Sequence, residues 1–246
     1  MFFLGCDVRD RFKNHRYWQE FLAKEKQMRE KFSVVPSDPT KSIETRQRVS
    51  YRIYRSSFVS TIAAYSSGQD RDSLGQAILH TLKHFDSFLD TCDLALDRAR
   101  KEYSGGYDAT YSMLGLAVLM DLTRDDSKPL ARGLKLFDVY DAVWQQFLDW
   151  LGFPDNESIT TLVWPEAYEN LNSALRSSAP GNSKALKTFV EAWYPAMRGT
   201  PWYESHRSSR PIYYGYWCFE AAAAARMRSI DVSELRDHPN FPADLV

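Results

Sequence analysis

The chain has 246 residues, of which 44% are hydrophobic and 14% aromatic, and its formal net charge is −1. This composition excludes a disordered chain and fits one or two globular domains. The near-zero net charge excludes a globally basic surface for nucleic acid, and the longest apolar run, residues 113–120, is far shorter than the roughly 20 residues of a membrane span. Three widely spaced cysteines indicate reduced thiols, so we expect a cytoplasmic protein with no membrane partner.

Helical patterns extend along the whole chain, whereas strand signals are scarce. No Asn-Gly or Asp-Gly hairpin pair and no long alternation of apolar and polar residues occurs. The predicted fold class is therefore all-α: a helical bundle of about eight helices in two halves, with few or no strands. Apolar periodicity, interrupted by prolines and glycines, predicts helices over residues 10–31, 40–65, 72–103, 108–122, 129–151, 165–177, 183–197 and 211–228.

Local signals set the starts of several predicted helices. Asp72 is placed to cap the third helix, because its carboxylate can accept hydrogen bonds from free backbone N–H groups. Pro129, Pro165 and Pro211 each suit a first helical turn, where the missing N–H has no cost. The fourth helix is largely apolar, so we expect it to be a central helix.

The polar segment Thr123–Lys128 predicts the boundary between two domains. It is short, charged and followed by a proline, which is typical of a connection between helical halves. We therefore expect an N-terminal helical domain over residues 1–124 and a C-terminal helical domain over residues 125–246.

Charge is unevenly distributed along the chain. Residues 1–60 contain 13 Lys/Arg against 7 Asp/Glu, a net of +6, and the remainder carries a net of −7. Residues 136–175, which we call the acidic window, contain no Lys or Arg. Their seven acidic residues are Asp138, Asp141, Asp149, Asp155, Glu157, Glu166 and Glu169.

A second acidic feature lies on the third predicted helix. Four aspartates occur there with the spacing i, i+4, i+7 and i+11, so at about 100° per residue they fall within about 60° of one another. Like charges at these spacings repel by about 0.2–0.5 kcal/mol per pair, so either an ordinary solvated face or a partner-binding ridge explains the pattern. We call this feature the aspartate ridge: Asp86, Asp90, Asp93 and Asp97.

Two alternative functions rest on other residues. His80 and His84 lie one helical turn apart and could share a metal ion, which would suit an all-α metal-dependent hydrolase. No glutamate of the metalloprotease pattern separates them and no third histidine lies nearby, so helix packing explains the pair as well.

The N-terminal arginines offer the other alternative, a nucleic-acid-binding module. Arginine interleaved with tyrosine is typical of such a patch. It is also typical of an amphipathic helix that packs long side-chain stems over the edge of a core. The residues concerned are Arg46, Arg48, Arg52 and Arg55, with Tyr51 and Tyr54 among them.

An aromatic block, Tyr213–Glu220, and an alanine block, Ala221–Ala225, follow one another near the C-terminus. We predict one helix whose aromatic half fills space and whose alanine half lets a neighbouring helix come close. Tyr213, Trp217 and Glu220 then share a face and are structural residues. Glu220 should be at least partly buried and hydrogen-bonded to a tyrosine hydroxyl or an arginine. No nucleophile or second carboxylate has a recognisable spacing from it, so no catalytic residue is predicted.

This C-terminal sequence resembles a known family. The run from Tyr213 to Ala222, the pair Ile230-Asp231 and the closing Phe241–Val246 are similar to the C-terminal domain of PoNi immunity proteins, with Asn240 standing where members often have a second aromatic residue. These bacterial proteins guard against polymorphic nuclease effectors, typically delivered by type VI or related secretion systems. The resemblance implies an all-α, non-enzymatic protein that binds a cognate DNase toxin. We therefore expect no metal, no cofactor and no direct contact with nucleic acid. The sequence does not decide whether the protein forms a homodimer.

The acidic features supply the toxin contacts in this interpretation. A DNase needs a positively charged groove for the phosphate backbone, and carboxylates on an inhibitor complement such a groove. We therefore predict toxin binding by the aspartate ridge and the acidic window. The predicted contact residues are Asp86, Asp90, Asp93, Asp97, Asp138, Asp141, Asp149, Asp155 and Glu157.

Overall fold

The computed structural model describes residues 8–92, 106–155 and 158–246, and over these residues the fold is all-α, as predicted. The described part contains nine α-helices, five short 3-10 turns and no strand. No helix within it combines the length and apolar character needed to cross a membrane. The helices are α1 His15–Phe32, α2 Ile43–Ser66, α3 Arg71–Cys92, α4 Tyr107–Leu119, α5 Arg124–Phe137, α6 Ala142–Trp150, α7 Pro165–Arg176, α8 Gly181–Ala196 and α9 Phe219–Arg228.

The chain forms two compact units. The first comprises the described residues of Met1–Ser104 together with Glu204–Gly215, and it contains α1 to α3. The second comprises those of Gly105–Tyr203 together with Tyr216–Val246, and it contains α4 to α9. The domain boundary at residues 124 and 125 stays a prediction; Thr123, next to it, caps α5 by accepting a hydrogen bond from the Asp126 N–H at 3.2 Å.

In the first unit α2 packs against both α1 and α3. The ring of Tyr54 on α2 lies 4.9 Å from that of Phe85 and stacks at 6.1 Å on Phe88, so aromatic contacts join α2 to α3. Tyr213 from the returning segment is buried against Trp18 of α1, with ring centroids 5.7 Å apart. Burial of such large side chains supplies most of the free energy that holds these helices together.

In the second unit α4 is the central helix, as predicted. Every residue of 109–119 is buried, which is typical of a helix enclosed on all sides. All five alanines of α9 are buried as well, and α9 packs on α4. A Cβ atom on Gly115 would lie 2.8 Å from the backbone nitrogen of Glu220, so the two backbones cross at a distance that only glycine permits. The closest backbone approach is therefore at Phe219 and Glu220, just before the alanine block.

The predicted helix over residues 129–151 is wrong, because two helices occupy this stretch. Asp138 adopts a left-handed conformation, with φ of 56°, and ends α5. Asp141 then caps α6 by accepting hydrogen bonds from the N–H groups of the second and third helical residues. Pro129 lies inside α5 and does not begin a helix. The apolar periodicity continues through both helices and therefore predicted one. The C-cap at Asp138 and the N-cap at Asp141, three residues apart, divide it into two.

The predicted helix over residues 211–228 is half wrong, because the chain becomes helical only at Phe219. Residues 211–218 carry no helix, and Gly215 has a left-handed φ of 115°. Pro211 therefore starts no helix, and Tyr213 and Trp217 share no helical face with Glu220.

Tertiary hydrogen bonds satisfy the backbone of this aromatic segment instead of helical ones. The Tyr213 N–H donates to the Tyr17 hydroxyl at 3.1 Å, and that hydroxyl donates back to the Tyr213 carbonyl at 2.7 Å. Further along, the Asn240 side-chain amide donates to the Tyr216 carbonyl at 2.9 Å, and the Cys218 N–H donates to the Asn240 carbonyl at 2.8 Å. Asn240 thus holds the non-helical segment in place.

The cap of α3 also differs from the prediction. Asp70 accepts a hydrogen bond from the Ser73 N–H at 2.8 Å and so caps the helix. Asp72 lies in the first turn, where its negative charge interacts favourably with the helix dipole. The aspartate is of the expected type, but the cap lies two residues earlier in the chain.

Candidate functional site

Glu220 is a buried carboxylate in the first turn of α9, 1% exposed. Its Oε1 accepts hydrogen bonds from the Trp193 indole N–H at 2.8 Å and from the Tyr168 hydroxyl at 3.1 Å. Burial raises the pKa of Glu220 to about 7, because the charged form loses hydration that these donors only partly replace. The predicted burial and the predicted hydrogen bond from a tyrosine hydroxyl are confirmed.

Tyr168 connects this carboxylate to a second one. Its ring stacks on Tyr111 with centroids 3.5 Å apart, and the Tyr111 hydroxyl donates to Asp141 at 2.7 Å. Asp141 is 2% exposed and also accepts hydrogen bonds from the Val163 N–H and from the first turn of α6. Burial, and then the negative charge of Asp141, raise the pKa of Tyr111 above its usual range. Asp141 was predicted as a toxin contact; since it is enclosed, we leave it out of the proposed surface.

Trp193 connects Glu220 to a third carboxylate. Its indole stacks on Trp202 with centroids 5.6 Å apart, and the Trp202 N–H donates to Asp108 at 2.6 Å. Carboxylates and aromatic donors thus alternate through the second unit and join α4, α6, α7, α8 and α9. We call this the carboxylate–aromatic network. Because its members bind one another inside the core, the network fixes the positions of these helices. It does not present an acid to a substrate.

The substitution Asp141→Asn tests the structural role of the network, because it changes the side chain least in size and shape. Asparagine caps a helix about as well as aspartate, but its amide nitrogen cannot accept the hydrogen bonds that Oδ2 now receives from Tyr111 and Val163. We expect the free energy of unfolding to fall by about 1 kcal/mol, measured by urea denaturation. The control Asp149→Asn removes an exposed carboxylate from the same helix and should change stability by less than about 0.5 kcal/mol. Equal effects of the two variants would contradict the structural role of Asp141.

The remaining described acids of the acidic window are exposed. Asp138 ends α5, Asp149 lies on α6, and Asp155 lies in the loop after α6. Glu157, also predicted as a contact, lies outside the described residues. Because the sequence of the window contains no Lys or Arg, the negative charge of these side chains has no cationic neighbour within the same segment. The exposed acids are Asp138, Asp149, Asp155, Glu166 and Glu169.

An open groove lies between α5 and α6, next to these acids, with a volume of about 290 Å³. Apolar side chains from both helices and from the following loop form most of its wall. Sequence reasoning missed it, because one continuous helix over residues 129–151 leaves no groove. The pair of aspartates that ends α5 and caps α6 was the signal that could have revealed it. The lining includes the apolar residues Leu134, Val139, Tyr140, Leu148 and Phe153 and the charged residues Lys135, Asp141 and Asp155.

The aspartate ridge is only partly within the described residues. Asp90 is exposed and Asp86 is half-buried on α3, whereas Asp93 and Asp97 lie outside the described part. The buried residues of α3 include Phe85 and Phe88, so an apolar face packs against the core of the first unit. The ridge belongs to the first unit and the acidic window to the second, and experiments can treat the two as separate candidate surfaces.

His80 and His84 pack against each other edge to face, with ring centroids 4.4 Å apart. Burial and, to a smaller extent, the neighbouring His80 together lower the pKa of His84 to about 4. No group of three or more His, Cys, Asp or Glu in the described parts of the chain is arranged to hold a metal ion. The contact therefore favours the packing interpretation of this pair.

The N-terminal arginines of α2 mostly contact the protein itself. Arg46 donates to a backbone carbonyl at 2.8 Å, and Arg52 and Arg55 lie over phenylalanine rings at 5.4 and 5.0 Å from the ring centroids. Arg48 is exposed. Cation–π contacts of this kind hold arginine stems on the edge of a core, which favours packing over a nucleic-acid patch.

The described residues thus define an all-α protein with a buried aromatic core and exposed carboxylates. Residues 7–132 match the N-terminal part of the PoNe immunity protein (PoNi) family and residues 139–245 match its C-terminal part, so the chain belongs to this family. It is therefore an immunity protein against a polymorphic nuclease toxin and not an enzyme, as the C-terminal resemblance implied.

The comparison with solved structures supports the fold. The crystal structure of protein PA2201 from Pseudomonas aeruginosa is similar over 97% of this chain and 89% of that chain, with a TM-score of 0.75 and 17% sequence identity. At this identity the likeness establishes the fold alone. No curated protein matches the chain.

Proposed function

We propose that this protein neutralises a cognate DNase effector in the cytoplasm by covering the effector's basic DNA-binding region with an acidic surface. The observation that carries the proposal is the acidic window: 40 residues of an immunity protein without one Lys or Arg, with carboxylates exposed along it. A DNase binds the phosphate backbone through Lys and Arg. A complementary acidic surface speeds association with such a region and selects it over neutral or acidic proteins.

Two surfaces are candidates for this contact. The acidic window offers Asp138, Asp149 and Asp155, and the aspartate ridge offers Asp86 and Asp90. The window is the stronger candidate, because a groove and exposed aromatic side chains accompany its acids. A partner is expected among the products of neighbouring genes, as a secreted protein of type VI or a related system with a C-terminal nuclease domain.

Charge reversal separates the two surfaces. In Asp149→Lys/Asp155→Lys the association rate with the purified nuclease should fall at least tenfold at low salt, because attraction becomes repulsion. Thermal stability should stay unchanged, since both side chains are exposed. Asp86→Lys/Asp90→Lys makes the same change in net charge on the ridge and should have a smaller effect. Glu20→Lys/Glu30→Lys, on exposed positions of α1, is the matched control.

The outcomes are distinct. Loss of binding in the ridge variant alone would move the contact to α3. Unchanged association, affinity and DNase inhibition in both double variants would overturn the electrostatic proposal. Surface plasmon resonance at two salt concentrations measures the rates, and plasmid cleavage measures inhibition.

A further inference from the structure

The groove between α5 and α6 has the size and lining of a site for a side chain of another protein. Its volume of about 290 Å³ is at the lower end of the ~300–1,000 Å³ typical of small-molecule sites. Leu134, Leu148 and Phe153 contribute apolar surface to its wall. It therefore suits one or two large side chains better than a cofactor.

One exposed aromatic side chain lines the groove, and another lies at the end of α6. Tyr140 belongs to the lining and is 54% exposed, whereas Trp150 is 53% exposed but lies outside the lining. These are the two most exposed aromatic residues in the part of the chain that the structure describes. Tyr and Trp are the residue types that most often carry the binding energy of protein interfaces. Both residues lie within the acidic window, so exposed aromatic and acidic side chains occur in the same segment.

The wall of the groove is fixed by hydrogen bonds within the protein. The Gln145 side-chain amide donates to the Phe153 carbonyl at 3.2 Å and to Asp149 at 2.6 Å, so it ties the loop after α6 to the helix. Asp141 holds the start of α6 to the Val163 backbone on the other side. A preformed site loses little conformational freedom on binding, which favours affinity.

We infer that this groove is the anchor site for the cognate nuclease and takes one large apolar side chain of the toxin, flanked by Lys or Arg. The inference rests on the proposed function. Charge complementarity favours this occupant. Asp141 and Asp155 line the groove against one cation of the lining, Lys135, and Asp149 accepts a hydrogen bond from the lining residue Gln145. Asp138 is exposed at the end of α5. The basic residues around the inserted side chain pair with these carboxylates, while the side chain itself fills the groove.

Two substitutions of opposite kind test the site. Tyr140→Ala removes an exposed wall of the groove, and Ala131→Phe fills the groove from α5. Each should raise the Kd for the purified nuclease about 10-fold to 100-fold, chiefly through faster dissociation. Ile212→Ala, an exposed apolar residue of the first unit, should leave the Kd within about twofold. Amide hydrogen exchange over residues 131–155 should slow in the wild-type complex.

The results distinguish this inference from the proposed function. If the wild type inhibits the nuclease and the charge-reversal variant binds weakly, while both groove variants bind as tightly as the wild type, the anchor site is refuted and the electrostatic surface stands. If the wild type neither binds nor inhibits the nuclease, the proposed function itself fails. Should Ala131→Phe prove unstable by circular dichroism, Tyr140→Ala decides alone, because its side chain is already exposed.

Discussion

Replacing Gly115 by alanine should destabilise the second unit by about 2 kcal/mol. The new Cβ would lie 2.8 Å from the Glu220 nitrogen, 2.8 Å from the Phe219 carbonyl carbon and 2.9 Å from the Glu220 Cα, all of them backbone atoms. Backbone atoms cannot rotate away as a side chain can, so α4 and α9 must separate. Overpacking costs about 1–3 kcal/mol and occasionally more, whereas the helix propensity of alanine restores at most about 1 kcal/mol.

Gly75→Ala is the matched control for this substitution. Gly75 is also a helical glycine, on α3, but a Cβ there would meet no heavy atom within 4 Å. This variant should be more stable than the wild type by about 0.5–1 kcal/mol. Urea denaturation followed by circular dichroism measures the helices of both units, including α3 with Gly75. Tryptophan fluorescence reports mainly on the second unit, because six of the seven tryptophans lie in it. Gly115→Ala with wild-type stability would contradict the close crossing of α4 and α9.

Between pH 5 and pH 8 the wild type should lose about 2–3 kcal/mol of its free energy of unfolding through Glu220, and Glu220→Gln should not show this loss. Burial raises the pKa of Glu220 in the folded state to about 7, above the ordinary value of 4.5. The folded state therefore binds this proton more tightly than the unfolded chain does. The contribution of Glu220 to stability is present in full below about pH 4.5 and is lost as the pH rises through 7. Glutamine is neutral at every pH, so its contribution is constant.

The difference between wild type and variant isolates this residue. His84 acts in the opposite direction: its folded pKa is lowered to about 4, so its contribution is present above about pH 6.5 and is lost toward pH 4. His84 lies in the first unit and is unchanged in the variant, so it cancels in the comparison. Urea denaturation at pH 5, 6, 7 and 8, followed by tryptophan fluorescence, should give curves that diverge with rising pH. Parallel curves would show that Glu220 is ionised at low cost in the core.

Both substitutions act on the scaffold and not on the proposed binding surface. Glu220 is enclosed with Tyr168 and Trp193, and Gly115 is buried beneath α9. At about pH 5, where Glu220 of the folded wild type is still protonated and most of its contribution to stability is present, the affinities of Glu220→Gln and the wild type for the nuclease should agree within about twofold. A large loss of binding with intact stability would place the carboxylate–aromatic network in the binding mechanism.

The sequence alone determined the fold class, the family and the burial of Glu220. Helical periodicity is local, so α2, α4 and α7 begin and end close to their predicted bounds. A carboxylate between an aromatic block and an alanine block is expected to be buried, and a buried carboxylate needs hydrogen-bond donors. The sequence does not say which residues supply them. The aromatic and alanine sequence was specific enough to indicate the PoNi family before any coordinates.

Tertiary structure decided the rest. Whether residues 211–218 form a helix depends on backbone partners distant in the chain, such as Tyr17 and Asn240, which no local propensity encodes. Asp141 looked like Asp149 in the sequence, yet one is buried beneath Tyr111 and the other is exposed, because only packing separates a cap from a surface charge. The groove between α5 and α6 exists because the chain turns at Asp138 and starts a new helix after Asp141. Its wall comes from several elements, so no local sequence pattern predicts it.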